Sequence, residues 1–192
     1  VTKTGHPVNI ASTRERIIST AAQLTAELGW SRVTMSLVAQ RVGVSRQTVY
    51  NEFGSRADLA ESMVLAELST FMEQVDVGFA AHPDDVVAAL VAAAAGVREL
   101  AETNPLLGAI VTATHGGESE LLPLLTTRAD AVIAAAHSTV TAHLLNYEIA
   151  PDVPVDAVVD MIVRAVLSHV MQPGSASVED AIAWLASSLV SS

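Results

Sequence analysis

The sequence predicts an all-α fold, with a small N-terminal helix-turn-helix unit in front of a larger helical body. Apolar residues recur at helical spacing between short Gly and Pro breaks along the whole chain, and no β-type alternation or internal repeat stands out. The stretch TMSLVAQRVGVSRQTVYNEFGSRADL, Thr34 to Leu59, joins two short helix-compatible segments through one glycine, and the second is polar on most of its surface. Charge is also split. Residues 1–60 carry Lys3, Arg14, Arg16, Arg32, Arg41, Arg46 and Arg56 against Glu15, Glu27, Glu52 and Asp58, a net +3, while the remainder nets -14. A basic head on an acidic body is the pattern of a small nucleic-acid-binding module attached to a solvated domain.

In the head, Ser12 and Glu15 form a capping-box pattern. Ile17, Ala21, Leu24 and Leu28 follow at helical spacing, and Gly29 is placed for a left-handed C-cap. Thr34 can cap a second helix with Leu37, Val38 and Val42, which Gly43 stops. Ser45 can cap a third, ending near Phe53-Gly54. Ser55 and Asp58 open a longer fourth helix through Leu59, Met63 and Ala66, with Phe79 near its end.

At 100° per residue, Arg46, Gln47, Tyr50 and Asn51 share one wedge of the third helix, while Val49 and Phe53 point toward a core shared with Val38, Val42 and Val44. Ala39 allows a close crossing and Gly43 a positive φ. This is the spacing of a helix-turn-helix, in which the second helix enters the major groove. Arg can bond guanine, Gln and Asn can bond adenine, and Tyr can reach a phosphate or a thymine methyl.

The order of Ala21-Ala22, Gly29, Thr34, Val38-Ala39, Gly43-Val44-Ser45, Thr48-Val49-Tyr50, Phe53 and Ser55-Arg56 resembles the N-terminal domain of the tetracycline-repressor-like (TetR) transcriptional regulators over about residues 12–60. That resemblance implies an all-helical homodimer whose heads bind palindromic operator DNA, usually as a repressor. It also implies that Thr48 and Tyr50 contact phosphates, that Arg56 adds its charge at the start of the fourth helix, and that positions 46, 47 and 51 face bases. The expected DNA-binding set is Thr34, Ser45, Arg46, Gln47, Thr48, Tyr50, Asn51 and Arg56. Glu52 departs from the family pattern, since a carboxylate there meets phosphate repulsion unless it turns away or pairs with Arg56, and it is excluded from the set.

The body, residues 61–192, is expected to bind an effector and to dimerise. Helical segments fall near 84–103, 105–115, 119–147, 154–171 and 177–190, with breaks at His82-Pro83, Asn104-Pro105, Gly116-Gly117, Ala150 to Pro154 and Pro173-Gly174. Segment 154–171 is apolar around most of its circumference, with Asp156, Asp160 and Arg164 as its one charged stripe, so it must be covered on most sides. A four-helix interface between two chains through Val159, Ile162, Val166, Ile182, Leu185 and Leu189 would do that; packing within one chain is the competing arrangement. Phe71, Met72, Phe79, Leu107, Ile110 and Val111 can wall an apolar pocket, with Asn104, His137 and Thr141 as polar groups beside it. The scarcity of inward charge points to a small apolar effector, fatty-acid-like or alkane-like.

Other chemistries find little footing. The chain has no cysteine, which removes disulfides and thiolate metal sites and fits a reducing cytoplasm. The longest apolar run, Val86 to Val97, is too short for a bilayer, and the N-terminal stretch lacks a signal-peptide core. His115, Glu118 and Glu120 lie close together without a second histidine at ligand spacing. No nucleophile elbow, phosphate loop or paired acid and base is visible, so neither an enzyme nor a cofactor is expected. The runner-up function is a helical sensor or interaction protein whose head docks on protein rather than DNA.

Overall fold

In the computed structural model, residues 12–113, 130–172 and 177–190 are described. His115, Glu118, Glu120 and the Gly116-Gly117 break lie outside them. The described elements are α1 (Thr13–Leu28), a 3-10 turn (Trp30–Arg32), α2 (Met35–Val42), α3 (Arg46–Phe53), α4 (Arg56–Ala81), α5 (Val86–Thr103), α6 (Pro105–Ala113), α7 (Asp130–Leu144), α8 (Val155–Met171) and α9 (Val178–Ser187). The fold is all-α, and among the described residues no helix is long and apolar enough to cross a membrane.

Local chemistry sets the helix starts. Ser12, Thr34, Ser45 and Ser55 each accept a backbone N–H from three residues ahead with the side chain, and Glu15 returns the bond to Ser12 to complete the capping box. Each such cap satisfies a donor that the first turn leaves orphaned. Gly43, at φ 82° and ψ 34°, is the left-handed residue that ends α2. Gly29 also has positive φ, but its ψ of 146° lies far from the left-handed helical region, so α1 ends in an extended kink rather than the expected cap. Leu28, expected on the buried stripe, is partly exposed there.

Two cores lie along α4, which spans about 39 Å at 1.5 Å per residue. The lower core holds Ile17, Leu24, Val38, Val49, Phe53, Leu59 and Met63, joined by Leu106 from α6. The upper one holds Val75, Phe79, Leu90, Val159, Ile162, Ile182 and Leu189. The boundary expected at 60/61 therefore falls inside one continuous helix. Gly78 lets α4 and α5 touch through their backbones, because a Cβ there would lie 2.4 Å from Ala93 N. Arg98 of α5 pairs with Glu179 of α9 at 2.6 Å and with Glu102 at 2.7 Å. The Arg98 hydrogen bond holds the Glu179 carboxyl below its usual range, so this contribution stands above the unfolded carboxylate pKa and fades as pH falls through the lowered value.

The segment expected over 119–147 ends earlier. After Leu144 the chain turns through N–H bonds from Asn146 to His143 O and from Tyr147 to Leu144 O, and Tyr147 donates its hydroxyl to His82 O at 2.8 Å.

Candidate nucleic-acid interface and ligand cavity

The buried side of α3 is fixed by Val49 and Phe53, both within the lower core, which leaves Arg46, Gln47 and Asn51 exposed and Tyr50 half-buried. The wedge is internally bonded. Arg46 donates to the Tyr50 hydroxyl at 3.3 Å and lies over its ring, while Gln47 Nε2 donates to Asn51 Oδ1 at 2.8 Å. The Gln47 amide keeps its oxygen and one N–H for a base edge, so the pair is ordered without being exhausted. Ser45 and Thr48 meet at 2.9 Å through their hydroxyls, and Thr34 is committed to its cap on Leu37 N.

Three arginines of the basic head serve its own structure. From α1, Arg14 donates to Glu52 O and Arg16 to Val42 O, at 2.6 and 2.8 Å. These carbonyls belong to the last turns of α3 and α2, so α1 closes the C-terminal ends of both helices of the helix-turn-helix and places cations where the helix dipoles favour them. Arg14 also stacks on Phe53 at 4.3 Å. Arg56 departs from expectation: it donates to Val33 O at 2.8 Å and to Trp30 O, and lies over the Trp30 ring at 4.3 Å. Its guanidinium is thus folded back as a clamp on the turn before α2, and it does not pair with Glu52. Charge counting foresaw neither role, because it cannot separate a cation facing solvent from one capping a carbonyl.

The body holds a half-open cavity of about 410 Å³ between α4, α5, α6, α7 and α8. Phe71, Met72 and Leu107 line it, together with Val64, Leu68, Leu90, Ile133, Val140 and Leu167. Several predicted members stand elsewhere. Phe79 stacks on His143 at 4.4 Å in the upper core. Asn104 caps α6, accepting Leu107 N–H at 2.8 Å and donating to Glu67. His137 and Thr141 face outward into a shallow second depression with Asp130 and Asp160, since Ala136 and Val140 take the inward positions of α7. The side chains of Ile110 and Val111 lie outside the described set. Glu67 lines the cavity and was not anticipated; its signal was a charge interrupting the apolar stripe from Val64 through Leu68 to Phe71.

The expected dimer face also needs correction. Val159, Ile162, Ile182 and Leu189 are sealed in their own chain's core, while Val166 and Leu185 pack half-buried against it. The large apolar side chains that α8 and α9 turn outward are Met161, 53% exposed, and Trp184, 73% exposed. Periodicity locates an apolar face but does not say which neighbour covers it.

Comparisons with known proteins match both parts. Residues 17–63 match the family described as bacterial regulatory proteins, tetR family, and residues 85–189, more than half the chain, match the bacterial tetracyclin repressor C-terminal domain. The HTH-type transcriptional regulator AlkX of Mycobacterium tuberculosis (strain ATCC 25618 / H37Rv) is 29% identical over 164 residues, covering 85% of this chain and 77% of the relative. The crystal structure of the TetR family repressor AlkX from Dietzia sp. strain DQ12-45-1b superposes with TM-score 0.70 at 28% identity, over 92% of each chain. A TetR-family regulator from Streptomyces coelicolor shares the fold with TM-score 0.65 at 17% identity, over 93% of this chain and all of that one. With a reading helix held on a four-helix head, a helical body behind it and family matches over both, this chain belongs to the TetR family of transcriptional regulators and is not an enzyme.

Proposed function

We propose that this regulator is a ligand-responsive repressor that binds palindromic operator DNA as a homodimer in the cytoplasm and is released by a small apolar effector. The observation that carries this reading is the placement of the cavity on α4, the helix whose first turns belong to the head's core. Its volume lies within the ~300–1,000 Å³ usual for small-molecule sites, and among the described lining residues all but Glu67, Arg164 and Ser168 are apolar. Each methylene buried there contributes about 0.8 kcal/mol, which favours a chain-like lipophile. The Dietzia relative is implicated, by its published description, in biodegradation of n-alkanes, which agrees with that class.

A palindromic site needs two heads about 34–36 Å apart, and a ligand that tilts α4 changes that separation. Only a compound with different affinities for the two arrangements can act so, and a 100-fold difference supplies ~2.7 kcal/mol of coupling. Lipophilic compounds titrated with and without a retained operator fragment test this. An inducer binds more weakly to the operator complex, by the same factor by which it weakens DNA binding. Equal affinities rule a compound out, and failure of every lipophilic class would leave only the DNA-binding half of the reading.

We assign the dimer contact to the outward faces of α8 and α9 around Met161 and Trp184, which stand out as exposed large apolar groups on adjacent helices. Sedimentation of the wild type is expected to give twice the chain mass at micromolar concentration. Trp184→Asp should give a folded monomer, whereas Ile162→Asp, which buries a charge, should unfold the body. A monomeric wild type, or a Trp184→Asp protein that stays dimeric, contradicts the assignment.

A further inference from the structure

We propose that Glu67 makes the cavity selective for long-chain molecules with a neutral, hydrogen-bond-donating headgroup, a primary alcohol being the simplest. The same contact then signals occupancy to the head. This rests on the reading of the cavity as the effector site.

The α4 wall runs through Val64, Leu68, Phe71, Met72 and Val75, and Glu67 interrupts it one turn before Phe71. A carboxylate accepts and does not donate, so in an apolar wall it is matched by a ligand that brings a proton to share. An ether of the same length brings none. An ionised fatty acid would set a second negative charge beside the half-buried first one, against apolar walls that screen the pair less than bulk water does. Among the described lining residues the other charged one is Arg164, whose Nε donates to Asp160 at 2.8 Å on the exposed side of α8, so its charge is already matched.

Glu67 also holds the start of α6. Its Oε1 accepts from Asn104 Nδ2, and Asn104 in turn accepts Leu107 N–H on its side chain and Gly108 N–H on its carbonyl, at 2.8 and 3.0 Å. Leu106, in the turn so capped, lies both in the lower core and in the cavity wall. A hydroxyl arriving at Glu67 competes with the Asn104 amide for the same carboxylate. The first turn of α6, which touches cavity and head together, is the element that this competition loosens.

The test uses the full chain with dodecanol, methyl undecyl ether and dodecanoate at neutral pH, after thermal melts establish that each variant is folded. The wild type is expected to bind dodecanol about tenfold or more tighter than the ether, the scale of a hydrogen bond to a charged group, and dodecanoate more weakly than dodecanol. At equal saturation, dodecanol should release a retained genomic fragment more completely than the ether. Glu67→Leu should bind alcohol and ether alike. Glu67→Gln keeps an acceptor for Asn104 but removes the charge, and should tighten dodecanoate about tenfold relative to dodecanol. Equal affinities for the three probes in the wild type, a wild-type preference for dodecanoate, or an unchanged dodecanoate-to-dodecanol affinity ratio in Glu67→Gln would overturn the proposal while leaving the effector reading intact. Binding of none of the three would overturn both for linear chains.

Discussion

Gln47→Ala and Asn51→Ala are expected to change which DNA sequence is preferred, not only how tightly DNA is held. Each removes a side chain on the exposed wedge of α3 that can read a base edge by two hydrogen bonds, at ~1–3 kcal/mol of discrimination per contact. In a homodimer each change occurs twice, so the loss against the best sequence reaches ~2–6 kcal/mol, or about 30-fold to more than 10,000-fold. The pair also bond each other at 2.8 Å, so the double variant should lose less than the sum of the singles. Tyr50→Phe and Thr48→Ala provide the contrast: they should weaken binding to all sequences about equally and, being uncharged, leave the salt slope unchanged. Affinities measured over a panel of single-base changes separate the two behaviours. If Gln47→Ala and Asn51→Ala leave both affinity and preference unchanged, α3 does not sit in the groove as assigned.

The second large effect is on stability and falls on Arg56. Arg56→Ala removes donors to Val33 O and Trp30 O and the cation above the Trp30 ring. Hydrogen bonds to charged groups contribute about 1.5–3 kcal/mol each, so a loss of roughly 3 kcal/mol is expected, seen as a melting point lower by several degrees. Arg56→Lys should rescue little, because an ammonium cannot reproduce the fork that spans two carbonyls and covers an indole. DNA binding will fall as well, through loss of the turn that leads into α2. The combination to look for is a lowered melting point with an unchanged salt slope. An unchanged melting point with a shallower slope would return Arg56 to the phosphate backbone, as the family resemblance implies.

The head was legible because its determinants are local. A Ser or Thr cap acts on the N–H three residues ahead, Gly43 needs only its own φ, and Val49 and Phe53 sit one turn apart on one face of a helix only two turns long. The body was legible as helices but not as an assembly. Ile162 and Ile182 have the periodicity of an interface, yet α5 covers them within the same chain, and nothing in a helical repeat distinguishes a neighbour from a partner. Polar residues misled in a different way. Asn104 stands among apolar residues, which suggests a pocket group, but Asn-Pro at a helix start is also a capping signature, and capping is what it does. His137, expected beside the pocket, faces outward because α7 turns Ala136 and Val140 to the core instead. Glu67 is not legible as a lining residue from charge alone, because a glutamate on a long helix is ordinarily solvated; its position within the Val64, Leu68 and Phe71 stripe is the informative feature.

Retention of genomic DNA fragments by the purified chain across a salt series tests the central claim most directly. The account predicts that a few fragments sharing an inverted repeat are retained well above bulk DNA, with log affinity falling linearly with log salt as neutralised phosphates release counterions. It further predicts that Gln47→Ala loses those fragments while keeping salt-sensitive binding to bulk DNA. Retention of no fragment above bulk DNA at any salt concentration, or binding indifferent to salt, would contradict it.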